Sequence, residues 1–254
     1  MAEHRKATAE HLGADVTTEA GEVSGGGGAS VLDVVAGRGP ALAVLAHPDD
    51  ESFGLGAVLA ALTTAGTDVR VVCLTYGEAS TLGSVADLAT VRRDELTAAA
   101  ERLGVSAIVL NNFPDGHLGE IAPAAVDEVV QNDLGDAATL VVFEPSGVTG
   151  HPDHQAATAA AHRVADRHQL AVLEWGVIPS VAAQLNTEYG TAFVALEGDG
   201  TVDIAVDRAV QRAAIKCHES QARDNPVLTR RLELQGTVER IRLRPPTRSA
   251  HTMT

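Results

Sequence analysis

Two four-residue boxes carry the residues best suited to chemistry. Each begins with histidine followed by proline: His47-Pro48-Asp49-Asp50 and His151-Pro152-Asp153-His154. Proline fixes φ and stiffens the turn, so the first and fourth positions of a box can fall on one side. Imidazole and carboxylate together suit a divalent transition metal, zinc first. Three protein ligands would leave a position open for water, which marks a catalytic rather than a structural zinc. The only cysteines, Cys73 and Cys217, are too few for a closed thiolate site or a disulfide framework. One His-Pro-Asp alone reads as a turn with a capping aspartate; two of them, each behind an apolar run, point to a metal. Asp153 reads both ways, as a group orienting an imidazole or as a helix cap.

Elements of regular spacing must hold these boxes. Residues 41–46, 69–74, 107–110, 140–143 and 170–175 are short apolar runs that read as buried strands. Between them, residues 56–65, 87–103, 123–131 and 152–168 read as helices, the first two closed by Gly66 and Gly104. This alternation predicts an α/β fold with a mainly parallel sheet covered on both faces. Beyond it, residues 192–196 and 202–206 suggest a hairpin around Gly198 and Gly200, residues 207–221 a helix, and residues 238–243 an edge strand before Pro245. Residues 1–29 read as a flexible tail ending in Gly25–Gly28, and residues 30–254 as one domain.

Ligands of open α/β sheets bind beyond the carboxyl ends of the strands. There the sequence places His47 to Glu51, then Thr75 to Glu78, then Asn111 to His117, then Gly150 to His154. Four successive loops thus bring carboxylates or imidazoles to one edge.

These residues resemble the PIG-L/LmbE family of zinc-dependent N-deacetylases. The likeness rests on His47-Pro48-Asp49-Asp50-Glu51 after a strand and on Gly150-His151-Pro152-Asp153-His154 downstream. It is supported by Arg92, Glu95 and Leu96, by Phe113-Pro114-Asp115-Gly116, and by His218, Ser220 and Gln221. The resemblance implies an LmbE-like, Rossmann-like three-layer α/β/α fold and removal of an N-acetyl (N-acyl) group from an amino-sugar conjugate. It implies Zn2+, with Fe2+ as another divalent choice, held by His47, Asp50 and His154. Asp49 would be the general base, and His151 would stabilise the oxyanion or act as an acid. Arg92 and Asp115 would contact substrate, with Glu51, Asp153 and His218 behind them. Mycothiol-pathway members carry a tyrosine two residues before the first histidine of the second box; here Thr149 stands there, which removes a phenol from the oxyanion site.

Other readings fare worse on the residues. Gly54-Leu55-Gly56 lacks the third glycine of a dinucleotide fingerprint, because Leu59 holds its place. No Gly-x-Ser-x-Gly elbow is present, and neither lysine follows a phosphate-binding glycine loop. The remaining alternative is a catalytically inactive LmbE-like protein that binds sugars or lipids. The formal charge of −15, from 34 acids against 19 bases, argues against tracking a nucleic-acid backbone. The charge is uneven: residues 203–254 hold ten bases and six acids, a segment that permits contacts between copies in a homo-oligomer. No apolar run reaches the length of a membrane span and no leader pattern opens the chain, so the expectation is a cytoplasmic enzyme of a small N-acetylated molecule.

Overall fold

The computed structural model describes residues 30–82 and 86–247; the expected tail over residues 1–29 lies outside them. The chain begins with α1 (Val31–Ala36), β1 (Ala41–Leu45), α2 (Asp50–Phe53) and α3 (Gly56–Thr64). Next come β2 (Val69–Thr75), α4 (Leu88–Leu103), β3 (Ala107–Phe113), a 3-10 turn at Leu118–Glu120 and α5 (Pro123–Asn132). Then follow β4 (Thr139–Phe143), α6 (Pro152–His168), β5 (Ala171–Gly176) and α7 (Pro179–Tyr189). The chain closes with β6 (Thr201–Ala205), α8 (Ala209–Ile215), α9 (Glu219–Ala222), α10 (Pro226–Gln235) and β7 (Val238–Arg244).

One seven-stranded sheet runs β3-β2-β1-β4-β5-β7-β6. β1 to β5 are parallel, and β7 is antiparallel to both β5 and β6. Side chains of a strand alternate between faces, and β1 shows why apolar residues are needed on both. Ala41, Ala43 and Leu45 join a core with Val58 and Leu62 of α3 and Leu103 of α4. Leu42 and Val44 join a second core with Val126 of α5 and Ala161 and Val164 of α6. The result is three layers, helices over both faces of a mainly parallel sheet. At the edge, β3 alternates exposed and half-buried residues, because only one neighbouring strand covers it.

The C-terminal third departs from the pattern read off the sequence. Residues 192–196 form no hairpin with β6. Their backbone groups are taken elsewhere: Phe193 N–H donates to Asn186 Oδ1 (2.7 Å), and Asn186 Nδ2 donates to Phe193 O (2.9 Å). Val194 N–H donates to Val148 O (2.7 Å), and only Ala195 bridges to Val177. The helix expected over 207–221 breaks after Ile215, and a short turn carries His218 inward to the start of α9. β7 is not an edge strand. It lies between β5 and β6, and its arginines face carboxylates on both neighbours: Arg240 is opposite Asp203, and Arg242 opposite Glu174. α1, missed in a glycine-rich context, starts on a capping box in which Ser30 and Asp33 bond each other's backbone.

Glu174 is fully buried on β5. It accepts from Arg242 Nε (2.6 Å) and makes ion-pair contacts to His162 (2.9 Å) and Arg244 (3.1 Å). Burial would raise its pKa, but His162, Arg242 and Arg244 hold it below the usual 4.5. Its ionised form therefore stabilises the fold above about pH 4.5, and that contribution is lost as pH falls through the lowered folded value. Glu174→Gln is expected to cost about 1–3 kcal/mol at pH 7. In denaturant unfolding, the gap to the wild type should close below pH 4.5; a gap that stays constant to pH 3 would show that the charge is immaterial.

Candidate metal centre

The strand order reverses between β1 and β4, and crevices at such reversals are where α/β sheets bind ligands. The first box follows β1 and runs into α2, whose first residue is Asp50. The second box opens α6, with His151 at its N-cap and Pro152 at its first position. Neighbouring parallel strands thus bring together loops 107 residues apart in sequence.

Within the first box the chain folds back on itself, and His47 N–H donates to Asp50 Oδ2 (2.9 Å). The imidazoles of His47 and His154 are held from behind. His47 Nε2 faces Asp115 Oδ1 (3.1 Å) and Asp153 Oδ2 (3.3 Å), so it carries the proton. His154 Nδ1 donates to Gly147 O (3.2 Å). The lone pairs are therefore left on His47 Nδ1 and His154 Nε2, which face each other at 3.2 Å. Asp50 Oδ1 lies 3.2 Å from His154 Nε2, and Asp50 Oδ2 3.7 Å from His47 Nδ1. Two lone pairs and a carboxylate so close require a positive charge among them, and a divalent cation fits this donor set. The pKa directions carry the same demand for positive charge: burial lowers His47, yet Asp115, Asp153, Asp50 and Asp49 raise it to about 10, so the site draws a second proton onto Nδ1 wherever no cation takes that lone pair. Burial raises Asp50, yet His154 and His47 hold it well below the carboxylate range.

A second grouping, His47, His151 and Asp153, is also compact. Asp153, however, is fully buried and occupied: it accepts from Gly116 N–H (2.8 Å) and Leu118 N–H (2.9 Å) besides facing His47. It orients His47 rather than capping its own helix. His151 Nδ1 accepts from Asp153 N–H (3.2 Å), which leaves Nε2 to hold the proton. Burial, with His154 and His47 nearby, lowers the His151 pKa, so the ring is neutral at pH 7.

Asp49 sits in strained backbone, with φ 119° and ψ −25°, a region that L residues rarely adopt. Side chains from distant elements hold it. Its N–H donates to Glu51 Oε2 (2.9 Å), and Glu51 Oε1 is held by Ser52 Oγ (2.6 Å) and His218 Nε2 (2.5 Å). Burial lowers the His218 pKa, but Glu51 raises it overall. Arg92 Nη2 bonds Asp49 Oδ2 (2.7 Å) and also Pro48 O, while Nη1 donates to Gly77 O (2.6 Å). Gly77 makes this approach possible: a Cβ there would lie 2.1 Å from Arg92 Nη1. Burial raises Asp49 to about 6 against the pull of Arg92, the range of a base at neutral pH.

Residues 42–165 match the family model described as PIG-L: GlcNAc-PI de-N-acetylase. Both boxes lie within the matched segment, which is similar to the PIG-L family. The chain is 27% identical over 232 residues to a 1D-myo-inositol 2-acetamido-2-deoxy-alpha-D-glucopyranoside deacetylase of Mycolicibacterium gilvum, covering 71% of this chain and 80% of that one. A Mycobacterium avium protein of the same name is 35% identical over 140 residues, 44% of this chain and about half (47%) of that relative. Among solved structures, an A40926 pseudoaglycone deacetylase superposes with a TM-score of 0.61 at 20% identity, covering 84% of this chain and 100% of that one. An N,N'-diacetylchitobiose deacetylase from Pyrococcus horikoshii superposes with a TM-score of 0.57 at 21% identity, covering 81% and 84%. At these identities the structures establish the fold.

The three inward groups, His47, Asp50 and His154, open on a cavity of about 600 Å³, which Asp49, Asp115 and His151 also line. Asp115 accepts from Ala79 N–H (2.8 Å) as well as facing His47. Arg92 reaches the cavity wall, but its Nη atoms are committed to Asp49 and the backbone. Thr149 lines the cavity from the second-box loop. Sequence reasoning overlooked Phe53, Phe143, Trp175, Phe193 and Arg231, all of which line it. Their signal was the scarcity of aromatics, with four Phe and one Trp in the chain. Asp153→Asn removes a charge that orients His47 and should weaken zinc binding about 10–100-fold. Competition with a chromophoric chelator measures it; unchanged affinity would remove Asp153 from the site's support.

Proposed function

We propose that the chain is a zinc-dependent N-deacetylase that removes the acetyl group from an amino-sugar conjugate. One observation carries the reading: His47 Nδ1 and His154 Nε2 lie 3.2 Å apart beside Asp50, with the Asp49 carboxyl next to them in the same cavity. The family description and the activities named for the mycobacterial relatives supply the reaction class.

His47, Asp50 and His154 would hold the zinc, which when bound acidifies a water toward a pKa of about 7 and polarises a carbonyl. Asp49 accepts the water's proton as its oxygen adds to the amide carbon. Neutral His151 offers an N–H to the carbonyl oxygen as negative charge builds there. With no phenol at Thr149, His151 is the donor this loop provides. Protonated Asp49 then passes its proton to the nitrogen as the C–N bond breaks, releasing acetate and a free amine. Arg92 positions Asp49 throughout and so restricts its carboxylate to one direction. Asp115, at the cavity wall, is the candidate acceptor for a sugar hydroxyl.

Two substitutions separate metal binding from chemistry. His154→Ala is expected to lose both bound zinc and acetate release from N-acetylglucosaminyl substrates. Asp49→Asn should keep zinc, as measured by metal analysis of the purified protein, and lower kcat about a hundredfold or more. Full activity in Asp49→Asn would remove it as the base, and zinc retained in His154→Ala would overturn the site.

A further inference from the structure

The chain has four Phe, one Trp and two Tyr. Three of the phenylalanines, Phe53, Phe143 and Phe193, and the only tryptophan, Trp175, line the single cavity that holds the candidate metal ligands. Val227 and Leu228 of α10 add to the same lining. This apolar lining begins at a metal ligand: the Phe143 ring lies 5.0 Å from the His154 ring and 5.4 Å from Trp175.

The lining is built rather than incidental. A Cβ at Gly54 would lie 2.3 Å from Phe143 Cε1 and 3.2 Å from Trp175 Cζ3, so glycine is what admits both rings. Trp175 Nε1 donates to Glu239 Oε2 (2.6 Å), and the Arg231 guanidinium lies 5.3 Å over the indole while bonding Phe53 O. The Phe193 segment is tied to the second-box loop through Val194 N–H and Val148 O. Hydrolysis of an acetyl group, with one methyl, uses little of such a surface. Ser80, Thr81, Asp115 and Gln221 give the same cavity polar lining for a sugar.

We propose that the surface of Phe53, Phe143 and Phe193, with the buried Trp175 ring packed behind Phe143, is a binding lobe for an alkyl or aryl group carried by the N-acylated substrate. The proposal rests on the deacetylase reading and narrows its substrate class to amino sugars with an apolar substituent. That group can sit on the acyl carbon or on the leaving amine's side, since both flank the scissile bond. Burying each methylene in such a lobe favours binding about three- to fourfold.

The test uses the full chain loaded with zinc. One series runs from N-acetyl- through N-butanoyl- and N-hexanoyl- to N-octanoyl-glucosamine, and the other compares methyl with octyl 2-acetamido-2-deoxyglucoside. A rise in kcat/KM of tenfold or more along either series is expected, and the series that rises locates the apolar group. Phe193→Ala should flatten the rising series, read as the ratio of longest to shortest substrate. Trp175, the only tryptophan, gives a readout independent of turnover: its fluorescence should respond to the octyl glycoside at far lower concentration than to the methyl one. Hydrolysis of N-acetylglucosamine with flat series and no difference in Trp175 response overturns the lobe and leaves the deacetylase standing. A Trp175 response selective for the octyl compound without any turnover keeps the lobe and overturns the deacetylase.

Discussion

Two unprotonated imidazole nitrogens resist being set 3.2 Å apart beside a carboxylate, and the molecule is organised to set them there. His47 Nδ1 and His154 Nε2 are fixed in that role from behind, one by Asp115 and Asp153, the other by the Gly147 carbonyl. The cost of crowding electron pairs together is met by a cation, so the arrangement is a demand for positive charge built into the fold. β1 and β4 create the demand by being neighbours where the strand order reverses. Strands that were not adjacent would deliver the same two boxes to separate crevices.

Adjacent aspartates in this site are driven in opposite directions. Asp49, half-buried, is pushed up to about 6 by desolvation, while His154 and His47 hold Asp50 far down. Environments that push neighbouring pKa values apart are what separate a proton carrier from a permanent charge. The surplus of acids in the chain, 34 against 19 bases, therefore has a small interior fraction with distinct physical roles. Asp153 and Asp115 fix a tautomer, Glu51 holds a strained peptide, and Asp50 holds charge. The formal charge of −15 overstates the field around a bound divalent cation for the same reason.

The boxes, the five parallel strands and the helices between them were legible because each rests on local pattern: apolar runs of strand length, a proline at the start of α6, glycines closing α3 and α4. The Asp153 ambiguity was not, since orienting an imidazole and capping a helix use the same residue at the same position. It took the turn after β3 to decide, through the N–H groups of Gly116 and Leu118. Arg92 entered as a substrate contact through the resemblance alone; no spacing in the sequence shows that its Nη atoms, beside the cavity, bond Asp49, Pro48 O and Gly77 O. The C-terminal third was misread for a related reason. β6 finds its partner in β7, more than thirty residues away, through pairs such as Asp203 with Arg240, and no local turn signal encodes that choice.

That C-terminal third is also where the site is completed. The family model ends at residue 165, yet Glu51, which accepts the N–H of strained Asp49, is held by His218 together with Ser52. Gln211 of α8 donates to Ser52 O (3.0 Å) just beyond the first box, and Arg231 of α10 bonds Phe53 O. Val148, ahead of the second box, is strained as well, with φ 67° for a β-branched residue; Glu144 accepts its N–H (2.7 Å) and Val194 donates to its carbonyl. Strain of this kind persists only where the surroundings over-determine it. The parallel half of the sheet supplies the candidate ligands, and the antiparallel extension with its helices adds restraints behind them. Breaking the helix after Ile215 is what lets His218 reach Glu51: a continuous helix through residue 221 would have preserved local pattern and lost that contact.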